Sequence, residues 1–328
     1  MRTIDLAGTD GRVSALALGA MQFGTATETP VAHRMLDDFV ARGGTHIDTA
    51  NCYNWWNAPG FTGHESETVL GQWLAHNGKR DEVFLATKGA GFPRNIDEVR
   101  GQSPVDWSKV QFEGAGAAVL RDALDASLRR LGTDHVDLYY VHVDDRTVPL
   151  EETLEALHGL VMAGKVRHLG WSNVRAWRLE RIRALCAANG WTQPIALQQM
   201  RSYLLPNAGR NGAAVDAEQL DYLAERSDLT LFAYSPTVGG TFDDDAKWAR
   251  AWQRDSWTSE VNEERRRTVQ KLAAEVGCTA NQLVIAWLGT QKRTSPIIGV
   301  RTYEQYEENV AAADIVVPTN ILAELDAA

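Results

Sequence analysis

The sequence predicts one α/β domain over residues 1–328, of the (β/α)8 or TIM-barrel class, on three observations. Short apolar runs recur eight times, amphipathic helical stretches separate them, and no Gly/Ser/Pro-rich linker divides the chain. An N-terminal hairpin is expected around Gly8–Gly11. Strands are then expected at Ala15–Leu18, Thr45–Ile47, Val83–Thr87, Val136–Val141, Val166–Leu169, Ile195–Gln198, Leu229–Ala233 and Pro296–Ile298. Several lack alternation, as strands buried on both faces should. Helical spacing is clear in Met35, Leu36, Phe39 and Val40, and in Leu120, Leu124, Leu128 and Leu131. Thr279 and Gln282 form a capping-box signature, and a last helix is expected over about Tyr303–Ala312. The long stretches Trp55–His64 and Thr237–Trp257 read as extended loops on the C-terminal face, walls or lids of a pocket. The competing doubly wound sheet would need Gly-x-Gly-x-x-Gly after its first strand; Gly19-Ala20-Met21-Gln22-Phe23-Gly24 does not supply it.

Bulk properties narrow the partners. A chain of 328 residues with 44% hydrophobic residues can build a large core. Its 43 acidic against 33 basic residues give a net charge of -10, which argues against nucleic acid and anionic membranes. No apolar run approaches the roughly 18 residues of a bilayer span, and Met1–Leu6 has no signal-peptide core. Three scattered cysteines, Cys52, Cys186 and Cys278, suit a reducing compartment, so a cytoplasmic protein is expected. Nothing in the sequence fixes an oligomeric state.

The chemistry lies where the strands end. The second strand runs into Asp48, the third into Lys88 and the fourth into His142, and Tyr53 follows Asp48 by five residues. On a barrel these positions share the C-terminal rim. A free phenol, with a pKa near 10, is too weak an acid for neutral pH. A neighbouring ammonium should lower that value, while a carboxylate keeps the ammonium charged. Such a group can protonate a nascent alkoxide, but reduction also requires a hydride source, and a nicotinamide is the natural complement. The later strands carry groups suited to one. Trp171-Ser172-Asn173, Gln199 and Tyr234-Ser235 offer donors, acceptors and a flat ring, with helix capping as the bland reading of Ser172 and Asn173. After the eighth strand, Gly299, Arg301 and Thr302 open a helix whose N-terminus suits a phosphate.

Together these segments resemble the aldo-keto reductase superfamily. The resemblance rests on Ile47-Asp48-Thr49-Ala50-Asn51-Cys52-Tyr53, Glu67-x-x-Leu70-Gly71, Ala86-Thr87-Lys88, Leu131–His142, Leu169-Gly170-Trp171-Ser172-Asn173, and Pro296–Thr302 with Glu308-Asn309. It implies a tetrad of Asp48, Tyr53, Lys88 and His142 with Tyr53 as the acid, and reduction of an aldehyde or ketone to an alcohol without metal. It implies carboxamide contacts at Ser172, Asn173 and Gln199, a stacking ring at Tyr234, and adenosine-phosphate contacts at Arg301, Thr302, Gln305, Glu308 and Asn309. The cofactor-side set also takes in Gly19, Ala20 and Met21, with Asp48, Ser235 and Gly299. NADP(H) is expected in preference to NAD(H), with a small carbonyl or alcohol as the substrate partner and no nucleic acid or membrane.

The chain also departs from the family pattern. Arg201-Ser202-Tyr203 stands where Glu-Tyr is frequent, Trp171 replaces a small or β-branched residue, and Gly299 takes the place of a phosphate-binding lysine. Asn54–Gly60 resembles an insertion that, with Trp107 and Trp257, is expected to line a bulky, partly aromatic pocket, with Trp55, Trp56, Trp107 and Trp171 as its candidate residues. Asp243-Asp244-Asp245 lacks histidine or cysteine partners for a metal. Two other readings compete. In one, a lysine at a strand end forms Schiff bases in an aldolase or lyase; in the other, the chain is a cofactor-sensing regulatory subunit with little turnover.

Overall fold

The computed structural model describes residues 1–102, 105–207, 214–251 and 254–327. Strands β1 (Thr3–Asp5) and β2 (Arg12–Ser14) form an antiparallel hairpin. Eight parallel strands then close into a barrel: β3 (Ala17–Gly19), β4 (His46–Asp48), β5 (Phe84–Gly89), β6 (Val136–Val141), β7 (Val166–Ser172), β8 (Pro194–Met200), β9 (Thr230–Tyr234) and β10 (Thr294–Gly299). They follow chain order, and β10 pairs with β3 to complete the ring. The predicted architecture is therefore present. Several strands extend past their expected ends, so Asp48 and Lys88 lie inside the ladder rather than beyond it.

Helices cover the outside, and the long ones bury apolar stripes. Met35, Leu36 and Phe39 do so on the helix Thr29–Ala41, and Leu120, Leu124, Leu128 and Leu131 on Ala117–Leu131. Each side chain so buried is worth about 1.5–3 kcal/mol. The Thr279 capping box is formed at the start of Ala280–Thr290. The helix Glu65–Asn77 approaches its neighbour so closely that a Cβ on Gly71 would lie 2.0 Å from the Arg130 carbonyl oxygen. The segment 237–257 is not simply a loop. It contains the helix Asp245–Ala249 and a 3-10 turn at Arg254–Ser256, with residues 252–253 outside the described set. Each of its acids has local work. Asp243 accepts from the backbone N–H groups of Ala280 and Asn281, Asp244 caps its own helix and Asp245 pairs with Arg266. A terminal helix, Thr319–Ala327, was not expected from the sequence.

The barrel interior is filled from below. Leu6 and Val13 of the hairpin cluster with Ala17, Ala86, Leu138, Tyr140, Phe232 and Ile297 from the strands. His46 stands edge-on to Phe84 and Phe232, and burial pulls its pKa down to about 4, leaving it a neutral filler at physiological pH. The hairpin thus plugs the N-terminal end, and the polar groups gather at the other.

Candidate active site

Side chains on a strand alternate between the barrel interior and the helix layer. Inward positions near the C-terminal rim fall on Asp48 of β4, Lys88 of β5 and Ser172 of β7, while Ile47, Leu85 and Trp171 pack in the outer core. Neighbouring strands bring the first two together. Lys88 is fully buried, and its three ammonium protons have three acceptors: Asp48 Oδ1 at 2.5 Å, the Thr49 carbonyl at 2.7 Å and the Tyr53 hydroxyl at 2.7 Å. Tyr53 Oη also lies 3.5 Å from Asp48 Oδ1, and the other carboxylate oxygen accepts from Gln198 Nε2 at 2.8 Å. His142, just past β6, stands edge-on to the Tyr53 ring with centroids 5.8 Å apart. The structure thus brings Asp48, Tyr53, Lys88 and His142 to one spot.

The electrostatics differ from expectation on one point. The ammonium was expected to lower the Tyr53 pKa. Burial, with the Asp48 charge adding to it, instead pushes the phenol well above its ordinary value. The phenol therefore keeps its proton at neutral pH. The same burial pulls Lys88 down, and the Asp48 carboxylate opposes that pull. His142 is lowered to about 3, first by desolvation and then by Lys88, so its imidazole is neutral.

The candidate cofactor groups lie along the same rim. Gly19 ends β3 with Ile297 and the Ile298 carbonyl close by, while Ala20 and Met21 continue from it. Ala20 N–H donates to the Asp48 carbonyl, and the Met21 carbonyl accepts from Asn54. Ser172 and Asn173 do not cap the following helix, whose N-cap is Arg175. Asn173 instead takes a left-handed backbone (φ 55°), donates to the His142 carbonyl and accepts from the Tyr234 hydroxyl at 2.8 Å. Ser235 is also left-handed (φ 52°). Two such non-glycine residues, just past β7 and β9, store local strain, as functional rims often do. Gln199 is fully buried, with both amide atoms lacking a partner among the described residues.

Farther round, Arg301 is exposed, its N–H is held by the Gln305 side chain, and Thr302 caps the helix Tyr303–Ala311. Glu308 is tied to the Thr279 hydroxyl, Asn309 lies half-buried two turns on, and Gly299 leaves open space where a side chain would stand.

The tryptophans divide. Trp56 and the 45%-exposed Trp107 pack edge-on, 5.6 Å apart, and Trp56 borders the Tyr53 cluster. Trp55 is 1% exposed and backs both from beneath, so it supports the wall without surfacing on it. Trp171, expected in the pocket, faces outward among Leu169, Val174 and Leu197 between barrel and helices. Its neighbour Gly170 holds the inward place, packed against the Tyr140 ring.

Sequence reasoning missed three groups. Gln198 was overlooked beside Gln199, although inward parity with Ala196 marks it. The Thr49 carbonyl leaves no sequence signal. Arg34, whose guanidinium lies 3.5 Å over the Tyr303 ring, is remote in sequence from the helix it meets.

Among the described residues no helix is long and apolar enough to cross a membrane, and no three His, Cys, Asp or Glu side chains are grouped to hold a metal ion. A family model described as the aldo/keto reductase family matches residues 15–328. An uncharacterised oxidoreductase of Bacillus subtilis, YrpG, is 32% identical over 96% of this chain and 92% of its own length. The human aflatoxin B1 aldehyde reductase member 4 is 31% identical over 92% of this chain and 88% of its own. The norsolorinic acid reductase stcV of Emericella nidulans is 32% identical over 93% and 75%.

Proposed function

The chain belongs to the aldo/keto reductase family of oxidoreductases, and from that premise we propose that it reduces an aldehyde or ketone to an alcohol with NADPH, Tyr53 acting as the proton donor. The observation that carries the proposal is the set of three bonds at Lys88. They aim the ammonium at the Tyr53 oxygen and leave the phenolic proton only one long bond, to Asp48 Oδ1 at 3.5 Å. Tyr53 gives that proton to the carbonyl oxygen, and Lys88 stabilises the phenolate left behind. Asp48, held by Gln198, keeps the ammonium charged and oriented. Neutral His142 orients the carbonyl.

A bound dihydronicotinamide supplies the hydride. The orphaned amide of Gln199 fits its carboxamide, which would offer one donor and one acceptor. Ser172 adds a hydroxyl, and Asn173 holds Tyr234, whose ring would carry the nicotinamide face. Gly19, Ala20, Met21, Ser235 and Gly299 shape the floor. Arg301, Thr302, Gln305, Glu308 and Asn309 line the place for the adenosine phosphate, with Arg301 meeting the 2′-phosphate charge. Trp56 and Trp107 supply an aromatic flank suited to planar substrates.

The test is loss of NADPH absorbance across a panel of aldehydes and ketones that includes polycyclic aromatic ones. Turnover of at least one is expected; NADPH oxidation by none of them would refute the reading. Arg301→Ala should weaken NADPH binding about tenfold or more beyond its effect on NADH, as loss of a charge-assisted contact of about 1.5–3 kcal/mol requires. Titration of tryptophan fluorescence with each cofactor measures the difference, and equal weakening would remove Arg301 from that role.

A further inference from the structure

We infer that Cys52 is a positioning residue for His142: its thiol donates to Nδ1, fixing the tautomer that presents an Nε2–H donor to the substrate oxygen. The geometry is a clamp. Cys52 Sγ lies 3.3 Å from His142 Nδ1, within the reach of a sulfur hydrogen bond. On one side of the ring, a Cβ on Gly91 would approach Nδ1 to 2.9 Å and the His142 Cβ and Cγ to 3.2 Å, so glycine lets the backbone lie that close. The Tyr53 ring meets the imidazole edge-on. The His142 N–H donates to the Gly89 carbonyl and the His142 carbonyl accepts from the Asn173 side-chain amide, so its backbone is held at both ends. With the ring so fixed, Nε2 makes no hydrogen bond to a described residue.

Chemistry then selects the direction of the bond. Cys52 is buried, and desolvation, with the Glu113 charge, pushes the thiol well above its ordinary pKa, so sulfur carries its proton throughout the physiological range. His142 is neutral over the same range. A thiol that cannot ionise meets an imidazole that cannot charge. Sulfur is a poor acceptor and an imidazole nitrogen a good one, so the S–H donates. A neutral imidazole accepting at Nδ1 must carry its proton on Nε2. The Tyr53 hydroxyl and Nε2–H then offer the carbonyl oxygen two donors, from the segments that follow β4 and β6.

The inference rests on the reductase reading for its catalytic meaning but not for its test. Isotopic labelling of the histidine nitrogens, with His142 assigned by loss of its signal in His142→Gln, should show an unprotonated Nδ1 and a protonated Nε2 in the wild-type chain. Cys52→Ala should leave a tautomer mixture, lower kcat/KM about fivefold and leave the Kd for NADPH unchanged, whereas Cys52→Ser should restore both the single tautomer and most of the rate. A wild-type signal from the Nδ1–H form would overturn the inference, as would an unchanged tautomer in Cys52→Ala. If no carbonyl oxidises NADPH, the reductase reading falls while the nitrogen signals still decide the role of Cys52.

Discussion

Tyr53→Phe should lower kcat for carbonyl reduction by about 10³-fold, within the range for loss of a positioned general acid, while NADPH binding changes less than about twofold. The substitution removes one oxygen, whose hydrogen bonds among the described residues are with Lys88 and Asp48. The ring keeps its packing against His142 and the Trp55 cluster. Stopped-flow measurement of hydride transfer, alongside fluorescence titration with NADPH, separates chemistry from binding. A rate within tenfold of wild type would take Tyr53 out of the acid role. The high pKa that burial gives the phenol does not weaken this expectation. An alkoxide is a far stronger base than a phenolate, so the transfer runs downhill and the donor is fully protonated when substrate arrives.

Lys88→Met should damage stability as well as chemistry. Methionine fills nearly the same volume, yet it leaves the Asp48 carboxylate, with its side chain only 3% exposed, without its cation. Orphaning one member of a buried ion pair costs about 3–5 kcal/mol, which denaturant unfolding would register as a lower midpoint at unchanged slope. Activity should fall at least as far as in Tyr53→Phe, because the phenolate loses its stabilising charge. The double variant Lys88→Met/Asp48→Asn should recover much of the stability and none of the rate. Failure of the second change to restore stability would mean that lysine packing, rather than charge pairing, held the site together.

The sequence showed the barrel because eight apolar runs and their amphipathic partners are fixed by burial, and burial depends on local pattern. It showed the Asp48, Tyr53, Lys88 and His142 constellation because each closes or follows a run. The strand ends were read too early for a related reason. Backbone pairing continues through Asp48, Lys88, Ser172 and Tyr234 whatever side chains they carry, while hydrophobicity stops at them. Parity was the harder matter. Strands buried on both faces show no alternation, so Trp171 could not be told from an inward residue, and the parity that marks Gln198 over Gln199 emerged only once Ala196 was seen to face inward. The phenol's pKa was misjudged because a sequence names the neighbouring charges but gives no measure of how thoroughly water is excluded. The pairing of Arg34 with Tyr303 needed the ring of strands to close, since the two sit at opposite ends of the chain.

The hairpin stopper has a consequence for traffic. A cylinder stopped at its base and packed with side chains has no through passage, so anything that reaches the Lys88 cluster comes by way of the lip. On the proposed reading both guests share that approach, and whichever lies deeper there enters before its companion and departs after it.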